Sequence, residues 1–248
     1  YWISRMSFGR KKMAFFSGLI LTSSGIYMIL SRAVLTDMIF TTFVSASIGF
    51  FYLAINDHRQ HSRGMIWGFF FCALAVMTKG ILGFVFPLAT IVMYLMWTGQ
   101  INKVNWKICG LGFVFFLILA APWHFLMLKK YGAFFIQEYF QNVHFRRLFQ
   151  AEHPKMSTLY FYPLIMLVGV LPWSFFWILT IQNISRVIKE RALQVDKVKF
   201  LLSWIVCVFV PVQLAASKLA SYVFPLFPAL AILLGFSIIL AMDEKMEK

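Results

Sequence analysis

Four short runs place ionisable groups inside or beside long apolar stretches: Arg32 to Asp37, Thr78-Lys79-Gly80, the segment 124–157, and Ser217-Lys218 through Tyr222 to Pro225. Charged groups at membrane depth are costly, and they usually line a polar cavity or bind something charged. The ammonium of Lys79 stands beside Gly80, which permits a sharp turn, and is well placed to meet a phosphate. Snorkelling to an interface is the plainer account of the same lysine. Arg146 and Arg147 offer planar guanidinium forks that match phosphate oxygens. Against that, Glu138, His144, Arg146, Arg147, Glu152 and His153 also read as ion pairs along a solvated helix. Lys218 and Tyr222 add a phosphate-binding option to a turn otherwise explained by its serines, Pro225 and Pro228. Asp37 is either a carboxylate able to ligate a divalent cation or orient a cationic side chain, or an acid at a helix N-terminus favoured by the dipole. No H-E-x-x-H motif occurs, so the signature of a zinc protease is missing.

The elements that must position these groups are membrane helices. Of the 248 residues, 61% are hydrophobic and 13% charged, with mean hydropathy +0.78; soluble domains have about 45–50% apolar and about 25% charged residues. A spanning helix needs about 20 mostly apolar residues. Eight stretches meet or nearly meet that need: 13–30, 38–55, 64–79, 81–97, 108–125, 158–180, 199–216 and 223–242. The third and fourth are short and could form one re-entrant hairpin; two spans give the more coherent charge count. The sequence therefore predicts an all-α polytopic bundle of about eight spans, a single transmembrane domain over 1–248.

Net charge is +14, from 23 Lys+Arg against 9 Asp+Glu. The bases sit in short hydrophilic breaks, as in the cytoplasmic loops of membrane proteins, so membrane lipids rather than nucleic acid are the expected partners. With both ends on one side, fifteen Lys and Arg fall on that side and eight on the other. The positive-inside rule makes the richer side cytoplasmic, with both chain ends there. All four chemistry-bearing runs then share the extracytoplasmic face. Within the extracytoplasmic loop 124–157, aromatics at helical spacing over 133–149 predict an amphipathic interfacial helix that Pro154 stops. Pro172 is expected to kink the sixth span, while Tyr160 and Tyr162 read as interfacial aromatics. Cys72, Cys109 and Cys207 form no C-x-x-C pair and indicate neither a disulfide framework nor a zinc ribbon.

The ordered set Arg32…Asp37, Thr78-Lys79-Gly80, Pro122-Trp123, Glu138 through Arg147 with His153, Gly169…Pro172-Trp173 and Ser217-Lys218-Leu219…Tyr222…Pro225 resembles bacterial polyprenyl-phosphate-dependent membrane glycosyltransferases of the C-type fold. Within that group it is similar to aminoarabinose transferases acting on lipid A and, more distantly, to protein O-mannosyltransferases. The resemblance covers nearly the whole chain. It implies a polyprenyl-phosphate sugar donor and transfer on the extracytoplasmic side of a bacterial inner membrane to lipid A, protein or glycan. It also implies phosphate contacts from Lys79, Arg146 or Arg147, Lys218 and Tyr222, with Asp37 as a metal ligand, a divalent ion being the one cofactor to consider, or a cavity-ordering carboxylate. In this group the catalytic acid lies in a first extracytoplasmic loop upstream of any segment seen here. The chain is thus expected to be a fragment, inactive alone, with Asp37 a weak substitute for the base. The competing function class is a transporter or lipid flippase with a basic outward cavity, although no internal repeat supports it. A scaffold subunit without a site is the plainest alternative.

Overall fold

A computed structural model describes residues 1–33, 35–139, 149 and 158–246. Its helices are α1 (Trp2–Phe8), α2 (Lys11–Ser23), α3 (Gly25–Ser31), α4 (Thr36–Asn56), α5 (His61–Lys79), α6 (Leu82–Thr98) and α7 (Trp106–Tyr131). They continue with α8 (Ala133–Ile136), α9 (Phe161–Gly169), α10 (Trp177–Lys189), α11 (Val195–Leu214) and α12 (Phe227–Met246). Short 3-10 turns at Trp173–Phe176 and Ala220–Leu226 lead into α10 and α12. The described residues contain no strand. In lipid, where no water satisfies the backbone, helices that close all their own hydrogen bonds are the available solution.

Three segments are long and apolar enough to cross a membrane singly: Thr36–Asn56, Trp106–Tyr131 and Ala220–Asp243. Two bent pairs raise the number to five: α2 with α3, at 65°, and α9 with Trp173–Lys189, at 105°. Each of the eight apolar stretches thus coincides with a helix or a bent pair, but three to five pass on length and composition. α5 opens on the polar turn His61-Ser62-Arg63 and α6 has only 17 residues, so both fall short. The bend after α9 falls at Pro172, as expected from its missing N–H and fixed φ. The break at Ser24 divides a stretch that hydropathy reads as continuous. Ser24 Oγ donates to the Ile20 carbonyl at 2.6 Å, and the N–H of Gly25 is taken by the Leu171 carbonyl at 3.0 Å.

Two apolar helices mark the inside and outside of the bundle. The segment Ala220–Asp243 is 94% buried and packs against α2, α10 and α11, whereas the spanning window of α7 is only 17% buried. A helix apolar on all sides suits either the core or a lipid-facing position; the neighbours, not the composition, separate these two. α4, α5 and α6 pack together antiparallel beside this core. The turn between α5 and α6 uses Gly80 at φ 83°, ψ −156°, a conformation essentially restricted to glycine. Three residues on, a Cβ at Gly83 would lie 2.4 Å from the Ala75 carbonyl carbon. Gly83→Ala is therefore expected to push α6 off α5 and lower the unfolding temperature, at a cost of about 1–3 kcal/mol from overpacking. Thermal unfolding of the purified variant in detergent measures it; an unchanged midpoint counts against this close approach.

Candidate functional site

The antiparallel run of the helices sorts the charged groups to two ends. The start of α4, the end of α5, the end of α7, the end of α11 and the start of the Ala220–Leu226 turn all lie at one end. That end holds Asp37, Lys79, Lys218 and Tyr222, which come from three segments far apart in sequence. Asp37 is the second residue of α4, so its carboxylate is favoured by the helix dipole. It also accepts a hydrogen bond and ion pair from the Lys79 ammonium at the last turn of α5. Both readings of Asp37, dipole partner and orienter of a cation, hold at once. Lys79 Nζ lies 4.8 Å from the Tyr222 ring centroid and 5.8 Å from that of Phe40. A cation over an aromatic face is held by the ring quadrupole. Asp37, Lys79 and Tyr222 therefore form one connected group, with the Lys79 side chain 24% exposed.

Lys218 occupies a cage of its own beside them. It is 3% exposed and donates to the carbonyls of Gln213, at 2.9 Å, and Thr158, at 3.1 Å. The first of these is one of the free carbonyls that end α11, so Lys218 caps that helix and ties it to the start of the sixth apolar stretch. Its ammonium also stands 5.4 Å from the Tyr162 ring, and the Tyr162 hydroxyl accepts from the Leu219 N–H at 3.2 Å. Lys218 and Tyr222 lie four residues apart in the connection between α11 and α12, which joins the two halves of the site. Among the described residues no carboxylate lies within ion-pair distance of Lys218. Burial without an anionic partner lowers its pKa from the ordinary lysine value. An ammonium has three N–H groups, and the carbonyls engage two of them. The third N–H has no acceptor among the described residues and can serve an anionic oxygen.

The remaining expected contacts divide. Arg146 and Arg147, with His144, Glu152 and His153, lie outside the described residues, as does most of the amphipathic helix expected over 133–149. Its beginning is helical, with Phe135 buried and Phe134 65% exposed. Arg32 is exposed at the end of α3 and makes no ion pair among the described residues. Among the described residues no group of three His, Cys, Asp or Glu could hold a metal ion. Asp37 is engaged by Lys79.

One contributor is missed in the sequence, and a second, His124, reads there only as one of the extracytoplasmic ionisable groups. Tyr162 reads there as an interfacial aromatic like Tyr160, yet it is fully buried while Tyr160 is 69% exposed. His124, near the end of α7, has Nδ1 2.8 Å from the Ala120 carbonyl and Nε2 3.1 Å from the Tyr139 hydroxyl. A carbonyl only accepts, which puts the proton on Nδ1 and lets the Tyr139 O–H donate to Nε2. Burial pushes the Tyr139 phenol up, which keeps that proton in place. Trp123 and Phe135 pack around the pair and anchor the start of the segment that leads to Arg146.

The family model described as dolichyl-phosphate-mannose-protein mannosyltransferase matches residues 1–125, which include Asp37, Lys79 and Gly80. The chain belongs to this family. Among curated relatives of this mannosyltransferase-family chain is the undecaprenyl phosphate-alpha-4-amino-4-deoxy-L-arabinose arabinosyl transferase of Erwinia tasmaniensis. It is 28% identical over 238 residues, covering 95% of this chain and 42% of the relative. The protein of the same name from Shewanella sediminis is 24% identical over 236 residues, covering 93% and 40%. The crystal structure of ArnT from Cupriavidus metallidurans bound to undecaprenyl phosphate superposes with a TM-score of 0.82 at 22% identity, over 96% of this chain and 42% of that one. The fold is therefore shared, and the chain spans about two fifths of the length of these relatives.

Proposed function

We propose that this segment forms the lipid-phosphate half of a membrane glycosyltransferase, which moves a sugar from a polyprenyl-phosphate donor to an acceptor on the extracytoplasmic side. The observation that carries this reading is Lys218: a buried ammonium with two neutral carbonyl acceptors and a third N–H left for an anion. The family membership and the relatives named for undecaprenyl phosphate substrates support it. When the bond between the sugar and the phosphate breaks, a phosphodiester becomes a phosphomonoester, and one negative charge develops on the leaving group. A preformed cation in a water-poor site stabilises that charge most effectively as it appears.

In this reading Lys218 meets the phosphate directly, and the Tyr222 hydroxyl is a second contact. Lys79 gives a smaller net charge, because Asp37 neutralises it; it supports the Tyr222 ring from below and reaches the phosphate with an N–H not given to Asp37. Arg146 or Arg147 completes the cradle with a forked donor. Asp37, committed to Lys79, makes a poor general base. The carboxylate that takes the acceptor proton is then supplied from outside this segment, and the segment by itself is inactive. The eight apolar stretches cross a bacterial inner membrane with both ends of the segment on the cytoplasmic side. 4-Amino-4-deoxy-L-arabinose is the favoured sugar, given the names of the relatives; lipid A, protein and glycan are the candidate acceptors.

The test uses the protein from its complete gene, reconstituted in liposomes with a radiolabelled undecaprenyl-phosphate sugar and lipid A. Label appearing in lipid A, with release of undecaprenyl phosphate, is the expected result. Movement of labelled donor between leaflets with no transfer to lipid A, peptide or glycan overturns the reading in favour of a flippase.

A further inference from the structure

The opposite end of the bundle holds a cavity of about 300 Å³ between the end of α1 and α2, α11 and α12. Its polar wall is Arg10, Gln194, Lys197 and Asp243, and its floor is apolar, including Phe8, Phe236 and Ile239. Helix direction places it far from Lys218: Lys197 is in the first turn of α11, while Lys218 follows that helix's last residue. Arg10 pairs with Asp243. Lys197 has no carboxylate within ion-pair distance among the described residues and rests 5.4 Å from the Phe8 ring. Arg10 is near enough to repel it. The cavity wall thus carries two cations and one anion.

Two further features point the same way. Arg10 and Gln194 are the N-cap residues of α2 and α11, and neither side chain caps its helix. Both helices direct the positive ends of their dipoles toward this region, that of α11 offset in part by Asp196 in its first turn and that of α2 by no acid in its own. A small free anion would satisfy the charges but leave the floor of Phe8, Phe236 and Ile239 uncovered. A phosphodiester attached to an acyl chain satisfies both surfaces, and a bundle end at the membrane interface is where such groups are found.

We propose that this cavity binds an anionic phosphate group, that of a phospholipid headgroup, between Arg10 and Lys197. The site is independent of the donor site and does not rest on the transferase reading. It tethers the starts of α2 and α11 and the end of α12 to the lipid surface, so its occupancy stabilises the bundle.

The experiment uses the protein from its complete gene in nanodiscs of phosphatidylcholine with and without phosphatidylglycerol, and reads the unfolding temperature. Inorganic phosphate added to the phosphatidylcholine discs is the soluble probe. Phosphatidylglycerol is expected to raise the midpoint by about 2–4 °C in the wild type. Lys197→Gln loses that rise and Lys197→Arg keeps it. Lys12→Gln, which removes an exposed charge outside the cavity, also keeps it. A rise produced equally by inorganic phosphate, and lost in Lys197→Gln, supports the anion site but assigns it to a soluble phosphate. Three results overturn the proposal: no rise with either probe, an equal rise in Lys197→Gln, or a loss in Lys12→Gln as large as in Lys197→Gln, which marks diffuse surface attraction.

Discussion

Lys218→Ala is expected to lower kcat/KM for the lipid-linked donor by about 10²–10³, the loss that accompanies removal of one preorganised donor to a developing oxyanion. The same change leaves the Thr158 and Gln213 carbonyls without their charged donor. An unsatisfied buried acceptor costs about 1–3 kcal/mol, so stability falls as well. A second variant separates the packing part of the stability loss from the loss of the charged donor. Lys218→Met keeps the aliphatic stem against Tyr162 but removes the charge, and it should match alanine in transfer while unfolding nearer the wild type. Transfer kinetics and thermal unfolding on the same preparations measure both. A folded Lys218→Met protein with wild-type kcat/KM removes Lys218 from the phosphate site and leaves it as a helix cap.

Breaking the Asp37–Lys79 pair is expected to have the largest effect on stability. Both side chains are mostly buried, with Asp37 10% and Lys79 24% exposed. Removing one member strands the other charge, at a cost of about 3–5 kcal/mol, whereas replacing both by apolar groups is often nearly neutral. Asp37→Leu and Lys79→Met should each lower the unfolding midpoint sharply, and the double variant should recover most of it. Transfer should not recover with it, because Tyr222 then has no cation beneath its ring. A double-mutant cycle reads the coupling directly. Additive losses in stability, with no recovery in the double variant, contradict the pairing.

Much of this site is legible once the spans are drawn. Asp37 begins one apolar stretch and Lys79 ends the next, so antiparallel neighbours must bring them to one face. Lys218 and Tyr222 reach the same face by the same parity. Their partners are not legible. Nothing in Tyr160-Phe161-Tyr162 tells which tyrosine turns inward, because that depends on the angle at which α9 leaves the preceding segment. Nor does sequence show that Lys218 spends one N–H on the end of α11 and another on the Thr158 carbonyl, since carbonyls carry no residue identity. Pro172 announces its bend through its chemistry, but Ser24 does not: serine in a helix can donate to the carbonyl four residues back with or without a break. Hydropathy finds the apolar stretches and leaves the number of crossings open, because a 17-residue helix such as α6 is short for the hydrocarbon thickness.

The burial of α12 has a consequence for biogenesis. The last helix described is also the most enclosed, so ribosomal synthesis delivers the centre of the bundle after the elements that surround it. Until Phe227–Met246 emerges, Ser17 on α2 and Asn183 on α10, the latter bonded in the finished fold to the Ser237 carbonyl at 3.1 Å, lie open on faces built for protein contact. The nascent chain holds a vacant slot until α12 is made, and such an intermediate is suited to shelter by the insertion machinery. Completion of α12 then acts as a checkpoint for the helices made before it, because their inward faces close only on this one.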